Sequence, residues 1–362
     1  MKVLSLVGTR PDLIKMSEII KKLDRYTDHV FVHTEQNYDY ELNEVFYNDL
    51  DLREPDHLLG VNEATLGETI GTIIAETERV LLTEKPDAVV ILGDTNSALA
   101  AIIVKRLKIP LFHLEAGNRC FDDNVPEEIN RRIIDHIADV NLAYTENSRR
   151  YLLAEGIAKD RTFIMGSPMR EILTQHYPKI TTSPILDKLS IEAGKYFLVS
   201  LHRDENTEIT ENFNTLLNTL SVISKTYKLP IIVSTHPRLK KKLGNKSIKG
   251  VKFLKPFGFI DYCKLQMNAK CVISDSGTVA EESAILGFPA VTIRNTMERP
   301  EAIDAGSLTL TGIDEQNIIK CIEVATQPTT VPQDYGAVNC SDRVLKIVLG
   351  YTGYINRYVW HK

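Results

Sequence analysis

Short apolar runs alternate with segments whose apolar residues recur at helical spacing, from the start of the chain to beyond residue 150. KVLSLVG is typical of a buried strand, and PDLIKMSEIIKKL after it has the period of an amphipathic helix. The same alternation predicts further strands at HVFVHTE, DAVVILGD, PLFHLEAG and VNLAYTE. Strands and helices in this order form a parallel sheet that is covered on both faces.

The alternation weakens between Met169 and Gly194, where the chain is polar and contains prolines. A second series then begins with KYFLVSLH and continues through PIIVSTHP, CVISDSG and PAVTIR. A chain of 362 residues is also too long for one small core. We therefore predict an α/β protein with two doubly wound, Rossmann-like domains facing across a cleft, 1–168 and 169–344, and ligands outside the carboxyl ends of the strands.

Composition narrows the class of partner. The formal net charge of -5 gives no electrostatic footprint for nucleic acid. No apolar run approaches the roughly 18 residues of a membrane helix, and the apolar stretch in MKVLSLVGTRP is too short for a signal peptide. Five cysteines without a CxxC pair read as reduced thiols. These features predict a cytoplasmic protein without a nucleic-acid or membrane partner.

The first candidate for chemistry is LVGTRPDLIK, in which a strand and Gly8 lead into a helix that carries Arg10 and Lys15. A helix start favours anions, and an arginine fork suits phosphate oxygens. A proline-started helix with a solvated arginine explains the same letters. Neither GxGxxG nor GxxxxGK[ST] occurs, which disfavours a dinucleotide site and a P-loop.

The second candidate is ISDSGTVAEESAILG, where Ser276 and Gly277 follow a strand and open a helix. Thr278 and Glu281 have the spacing of a capping box, which accounts for most of the segment without a ligand. Glu282 is left over and could accept hydrogen bonds from a ribose diol while the backbone amides of the loop hold a phosphate. Spacing leaves both interpretations open.

Two histidines, His202 and His236, end predicted strands at equivalent places in the second domain, and Arg203 follows the first of them. A lone histidine at the end of a strand is usually structural. Two such histidines favour contact between at least one of them and a ligand.

Carboxylates gather at the strand ends of the first domain. Asp94 ends VVILGD, and Glu115 lies two residues after His113, on the same face of a predicted strand. His113 and Glu115 resemble an HxE metal pair, but no further Cys/His cluster supports a metal. Glu127 and Glu128 start the next helix, where negative charge suits the helix dipole. Ion pairs of Glu127 with Arg131 and of Glu128 with Arg132 are the alternative to a catalytic role.

Eight motifs resemble the non-hydrolysing UDP-N-acetylglucosamine 2-epimerase family, which has the GT-B fold. In chain order they are GTRPDLIK, GDTNSAL, HLEAGNR, VPEEINRR, HRDEN, THPR, SDSGTVAEE and ERPEA. QNYDYELNEVFYNDL, EAGNRCFD, GSPM and YINRYVW further resemble the branch that makes UDP-N-acetyl-L-fucosamine from UDP-2-acetamido-2,6-dideoxy-L-talose, for capsule and O-antigen.

By this resemblance the catalytic carboxylates are Asp94, Glu115 and Glu127, and His202 lies near the diphosphate. The positions that match the UDP- and diphosphate-binding groups are Arg10, Lys15, His202, Ser276, Gly277, Glu282 and Arg299. The resemblance also implies a UDP-sugar as ligand, no cofactor and no metal, a homodimer, and a last helix at about 345–362 that packs back on the first domain.

One segment departs from the family. Members regulated by UDP-N-acetylglucosamine carry Gln-His-Arg after the second strand, whereas this chain has Gln36, Asn37 and Tyr38. Two explanations stay open: allosteric activation is absent, or the pocket is shaped for a 6-deoxy sugar.

The chemistry explains why so many carboxylates are needed. The C2 proton of an N-acetylamino sugar is not acidic, so elimination of UDP to a glycal, followed by re-addition, is the expected route. A protonated carboxyl must then act as an acid near neutral pH, which neighbouring carboxylates favour. The competing interpretations are a GT-B glycosyltransferase, a hydrolysing epimerase and an inactive nucleotide-sugar sensor.

Overall fold

The computed structural model describes the chain except for residues 36–39, 62, 202, 204–205, 207–208, 236, 245, 326 and 328–329. The chain forms two compact units, one of Met1–Thr174 with Asp334–Lys362 and one of Gln175–Gln333. Among the helices of the described ranges, none combines the length and the apolar content that a membrane span requires.

The first unit contains seven parallel strands in the order β3-β2-β1-β4-β5-β6-β7. The strands are β1 (Lys2–Val7), β2 (Asp28–His33), β3 (His57–Leu58), β4 (Ala88–Leu92), β5 (Leu111–Leu114), β6 (Val140–Ala143) and β7 (Thr162–Ile164). The helices between and after them are α1 (Arg10–Tyr26), α2 (Tyr40–Asp49), α3 (Leu66–Glu84), α4 (Ala101–Arg106), α5 (Pro126–Ile137) and α6 (Glu146–Ala154). Helix α7 (Met169–Thr182) begins in the first unit and ends in the second.

The second unit has six parallel strands in the order β10-β9-β8-β11-β12-β13. These are β8 (Phe197–Leu201), β9 (Ile231–Thr235), β10 (Val251–Leu254), β11 (Cys271–Ser274), β12 (Ala290–Thr292) and β13 (Thr309–Leu310). Its helices are α8 (Ile185–Leu189), α9 (Thr210–Tyr227), α10 (Pro237–Leu243), α11 (Phe259–Asn268), α12 (Val279–Leu286), α13 (Glu301–Asp304) and α14 (Glu315–Val324).

The last helix, α15 (Cys340–Tyr358), belongs to the first unit and packs against α1. Lys22 on α1 forms an ion pair of 2.7 Å with Asp342 at the start of α15. The carboxylate of Glu171 on α7 accepts hydrogen bonds from both the backbone N–H and the hydroxyl of Ser341. Two helices of this unit therefore hold the returning end of the chain.

The polar stretch between Met169 and Gly194 is largely helical, although its weak pattern suggested an interruption of the fold. α7 continues through Pro178, which removes one backbone donor from the helix. Threonine hydroxyls bond back to the carbonyl oxygens of Pro178 and its neighbour in the last turn. Local proline and threonine content obscured a helix whose buried residues include Ile172 and Ile180.

Strand order decides which loops meet. β1 pairs with β4, and β4 pairs with β5, all in parallel register. The residues after these strands, which include Gly8, Asp94 and Glu115, therefore emerge side by side at one edge of the first sheet. In the second sheet β8 lies beside β11, and β11 beside β12, so the loops after these strands are neighbours in the same way.

Candidate active site

Glu115 follows β5 in a left-handed conformation, with φ of 67°. Its side chain is buried, and its carboxylate lies 2.5 Å from the ammonium nitrogen of Lys15 on α1. The amide of Asn118 donates a second hydrogen bond of 3.2 Å to the other oxygen. The family resemblance implies that Lys15 binds the diphosphate, and in this structure its ammonium forms an ion pair with the candidate catalytic carboxylate of Glu115.

Asp94 follows β4 and meets Arg131 of α5, with 2.8 Å between a guanidinium nitrogen and a carboxylate oxygen. Arg131 is almost fully buried and also contacts Glu128 at 3.1 Å. The amide of Asn130 donates to the backbone carbonyl of Asp94 at 3.0 Å. Helix α5 thereby fixes both the main chain and the side chain of Asp94.

The adjacent glutamates of α5 have different surroundings. Glu128 is fully buried and accepts hydrogen bonds from the backbone N–H groups of Cys120 and Phe121. The pair between Glu128 and Arg132 suggested by the sequence is formed at 3.0 Å. Glu127 is half-buried, and within the described residues it forms no hydrogen bond or ion pair. The alternative ion pair between Glu127 and Arg131 is thus wrong, because Arg131 turns to Asp94 and Glu128.

Asp12 is a buried carboxyl group that the sequence analysis missed. It sits in the first turn of α1, where one carboxylate oxygen accepts from the backbone N–H groups of Gly8 and Thr9 at 3.3 and 3.0 Å. The hydroxyl of Thr95 donates to the same oxygen at 3.4 Å. These two backbone amides at the start of α1 therefore already have an acceptor.

Burial raises the pKa of Asp12 to about 6, although Lys15 and Thr9 lower it in part. The negative charges of Asp94 and Glu115 raise the pKa of Asp12 further, because nearby like charges disfavour its ionised form. A carboxyl group with such a pKa exchanges protons near neutral pH.

We expect Asp12→Asn to flatten the dependence of stability on pH. The folded pKa of about 6 exceeds the ordinary value of 3.8. The folded state therefore holds this proton more tightly than the unfolded state, and stability is highest below the unfolded pKa. It should fall by up to about 3 kcal/mol as pH rises through about 6. Urea unfolding of both proteins between about pH 4 and 7 measures the difference.

The control for this prediction is Asp342→Asn. Its hydrogen bond to Lys22 lowers the pKa of Asp342, so this carboxyl titrates below the tested range. The stability difference between wild type and Asp342→Asn should therefore stay constant across the range. A constant difference for Asp12→Asn as well would contradict the raised pKa.

Arg10 begins α1, and its guanidinium carbon lies 6.0 Å from the ring centre of Phe46 on α2. Such contacts between a cation and an aromatic face orient the guanidinium plane. His113 does not fit the HxE metal pair, because both of its ring nitrogens already have acceptors, Asp135 and the carbonyl oxygen of Gly93. The described residues contain no cluster of three potential ligand side chains arranged for a metal ion.

In the second unit, the loop after β11 lines a small pocket together with two buried arginines. Ser276, Gly277, Arg294 and Arg299 all face it. A Cβ atom on Gly277 would lie 2.8 Å from a guanidinium nitrogen of Arg299, so a larger residue there would displace that side chain. Arg294 was missed by the sequence analysis, since it lies just beyond β12 in a segment without a recognisable motif.

The capping box expected at Thr278 is absent. Thr278 accepts no capping hydrogen bond, and Glu281 is fully buried with an oxygen 3.4 Å from the side chain of Arg299. Glu282 is nearly buried and accepts a hydrogen bond of 2.6 Å from the amide of Gln266. Burial raises the pKa of Glu282, against the effect of that hydrogen bond. Glu281, which the sequence pattern suggested as a capping residue, thus forms an ion pair with Arg299 of the pocket.

Several sequence-based expectations fall outside the described residues. These are His202, His236 and the departing segment Gln36, Asn37 and Tyr38. Beside His202, the backbone N–H of Arg203 donates to Asp275 at 3.0 Å, and its guanidinium contacts Glu298 at 3.2 Å.

A sequence profile of UDP-N-acetylglucosamine 2-epimerase matches residues 21–349. The chain is similar to the solved UDP-N-acetylglucosamine 2-epimerase from Rickettsia bellii, with 48% identity, a TM-score of 0.94 and full coverage of both chains.

The Methanocaldococcus jannaschii UDP-GlcNAc 2-epimerase, solved in complex with UDP-GlcNAc and UDP, is 35% identical with a TM-score of 0.90. It covers 97% of this chain and 100% of its own. The Pseudomonas aeruginosa UDP-2,3-diacetamido-2,3-dideoxy-D-glucuronate 2-epimerase is 31% identical over 352 residues, 95% of this chain and 98% of its own.

The solved structures confirm the predicted fold class, two Rossmann-like α/β domains of the GT-B type. The family match includes every strand of both sheets except β1, and the motifs around Asp94, Glu115 and Gly277 lie within it. The chain therefore belongs to the non-hydrolysing UDP-N-acetylglucosamine 2-epimerase family.

Proposed function

We propose that this protein inverts C2 of UDP-N-acetylglucosamine by eliminating UDP and adding it back. The observation that carries the proposal is the pair of carboxylates at neighbouring strand ends, Asp94 and Glu115, each held by a buried cation. Relatives named as UDP-N-acetylglucosamine 2-epimerases match almost the whole chain, which supports the same substrate here.

The route follows from the substrate. The C2 proton is not adjacent to a ring carbonyl, so direct deprotonation would be very slow. When the bond from C1 to the diphosphate oxygen breaks, its electron pair leaves with UDP, and loss of the C2 proton to a carboxylate forms the C1–C2 double bond of a glycal. A protonated carboxyl then delivers a proton to the other face of C2, and UDP bonds again to C1.

In this proposal Asp94, Glu115 and Glu127 take up and deliver the C2 proton. Proton transfer by a positioned group contributes roughly 10²- to 10⁴-fold to the rate. Two of these carboxylates meet cations, which favours their charged form as bases, whereas Glu127 forms no ion pair within the described residues.

The same proposal assigns the nucleotide to the second unit. Ser276 and Gly277 would bind phosphate oxygens through their loop, with Arg299 beside them in the pocket. Glu282 would accept hydrogen bonds from the ribose hydroxyls. Arg10 and His202 are the groups proposed for the leaving diphosphate, where charge-assisted hydrogen bonds stabilise the charge that develops.

A second candidate substrate is a 6-deoxy sugar nucleotide of the L-talo series, UDP-2-acetamido-2,6-dideoxy-L-talose, which would give UDP-N-acetyl-L-fucosamine for capsule or O-antigen. The motifs YINRYVW and EAGNRCFD and the Gln36–Asn37–Tyr38 segment favour it. The Pseudomonas aeruginosa relative carries a name with a different sugar, so the family is not confined to one substrate. A cytoplasmic homodimer is part of either proposal.

Proton NMR of the purified protein in deuterated water tests both candidates. UDP-N-acetylglucosamine and the 6-deoxy-L-talo sugar nucleotide are supplied separately. The signal of the proton on C2 and the signals of the new epimer are followed. We expect deuterium to enter C2 of UDP-N-acetylglucosamine as its C2 epimer forms.

Each other outcome has a definite meaning. Exchange with the L-talo compound alone would keep the mechanism and replace the substrate. Release of a free sugar would indicate a hydrolysing enzyme. Tight UDP binding without exchange in either compound would contradict the proposal and favour a glycosyltransferase or a nucleotide-sugar sensor.

A further inference from the structure

His113 in β5 is completely buried between two acceptors. Its Nδ1 atom lies 2.8 Å from a carboxylate oxygen of Asp135, and its Nε2 atom lies 2.8 Å from the backbone carbonyl oxygen of Gly93. A carbonyl oxygen can only accept, so Nε2 must carry a proton. With Asp135 as a carboxylate, Nδ1 also carries a proton and donates its hydrogen bond to Asp135, so the ring is a positively charged imidazolium.

Asp135 is held as a carboxylate by further donors. A guanidinium nitrogen of Arg119 lies 2.7 Å away, and the backbone N–H of Gly117 contacts both carboxylate oxygens at 3.2 and 3.3 Å. Burial opposes charge on Asp135, but His113 and Arg119 outweigh it, so the pKa is lowered. Burial likewise opposes charge on His113, and its hydrogen bond to Asp135 outweighs it and raises the pKa.

This network touches the three chain segments that carry the candidate carboxylates. Gly93 immediately precedes Asp94, and Gly117 lies two residues after Glu115. Asp135 is on α5, the helix whose first turn carries Glu127. One buried pair of charges thus ties together two loops and one helix.

The turn after Glu115 is bonded to this network through the backbone N–H of Gly117. Gly117 has φ of 83°, and a Cβ atom there would lie 2.4 Å from the carbonyl oxygen of Ser148. Arg119 extends the tie, because it binds both carboxylate oxygens of Glu155 at 2.6 and 2.7 Å. Glu115, with its left-handed backbone, therefore lies between His113 and Gly117, which are both hydrogen-bonded to Asp135.

We propose that His113 and Asp135 are positioning residues, which hold the backbone at Gly93 and Gly117 so that Asp94 and Glu115 meet the sugar in a productive geometry. The inference rests on the proposed function. Neither side chain is assigned contact with the substrate, and their effect on rate arises through the two carboxylates. Misplacing a reacting group by about 1 Å can cost about 10²-fold in rate.

Asp139, a buried acidic residue at the other end of β5, offers a matched comparison with Asp135. Asp139 is also buried and accepts a hydrogen bond of 3.0 Å from the backbone N–H of Leu111, and it forms an ion pair with Lys105. Leu111 is the first residue of β5, at the end of the strand away from Glu115. Asp139 therefore resembles Asp135 in chemistry but holds the opposite end of the strand.

The test compares Asp135→Asn and Asp139→Asn in the full chain. C2 deuterium exchange gives kcat and KM, calorimetry gives the dissociation constant of UDP, and thermal unfolding gives stability. We expect both variants to lose stability, but only Asp135→Asn to lose kcat, by about 10²-fold, with UDP affinity unchanged. Equal kcat in the two variants would overturn the proposal.

Two further measurements decide the matter if Asp135→Asn does not fold. His113→Gln should show the same selective loss of kcat, and full kcat in this variant would overturn the inference. In the wild type, the ring ¹⁵N NMR signals of His113 should show both nitrogens still protonated above the ordinary histidine pKa of about 6.5. A neutral ring overturns the inference even if no substrate exchanges, whereas lack of exchange with a charged ring overturns the proposed function alone.

Discussion

Glu115→Gln is expected to lower kcat for C2 epimerisation by at least about 10²-fold, because a glutamine amide cannot take up or deliver the C2 proton. Glutamine keeps the shape of the side chain and an oxygen that can accept a hydrogen bond. The buried position of Glu115 and its 2.5 Å contact with Lys15 leave little room for another group to replace it. Deuterium entry at C2, followed by proton NMR, measures the loss.

The same substitution should also reduce stability, and a second variant separates the two effects. Glu115→Gln leaves the buried ammonium of Lys15 without its counter-charge, which costs about 3 kcal/mol. Replacing both residues, as Lys15→Met with Glu115→Gln, removes the unpaired charge and should recover much of that loss. We expect turnover to stay low in the double variant. Recovery of turnover along with stability would contradict a role for Glu115 in proton transfer.

The location of the candidate site could be predicted from the sequence because it depends on a simple rule. The alternation of strands and helices implied parallel sheets, and parallel sheets bring their carboxyl ends to one edge. Asp94 and Glu115 could therefore be placed at neighbouring strand ends, where the structure has them.

Their partners could not be predicted, because they come from distant parts of the chain. Lys15 lies 100 residues before Glu115, and a lysine in the first turns of a helix is usually solvated. Arg131 was expected to pair with Glu127, yet it pairs with Glu128 and also reaches Asp94 at the sheet edge. Helical spacing gives the local pairs that are possible, and the contact of α5 with the segment that follows β4 decides between them.

Capping patterns likewise fail to reveal contacts with distant parts of the chain. The spacing of Thr278 and Glu281 suggested a capping box, but burial beside Arg299 directs Glu281 away from the helix start. At the start of α1, Asp12 does accept from the backbone N–H of Thr9. Its burial and raised pKa come from the neighbouring strand ends, which no local pattern reveals.

The neighbouring glutamates of α5 allow the proposed division between catalysis and structure to be tested directly. Glu127→Gln removes a half-buried carboxylate that has no ion-pair partner among the described residues. We expect its stability to change by less than about 0.5 kcal/mol, as for an ordinary surface substitution. Its kcat should fall at least about 10²-fold if Glu127 transfers a proton.

Glu128→Gln should show the opposite balance. Glu128 is fully buried, binds two backbone N–H groups of the loop before α5, and pairs with both Arg131 and Arg132. Loss of its charge leaves buried donors underpaired, which we expect to cost about 3 kcal/mol of stability. Urea unfolding and C2 exchange of the two variants, measured side by side, give both quantities. A stable but inactive Glu128→Gln, with an active Glu127→Gln, would exchange the roles of the two residues and place the proton-transferring carboxylate one position further along the helix.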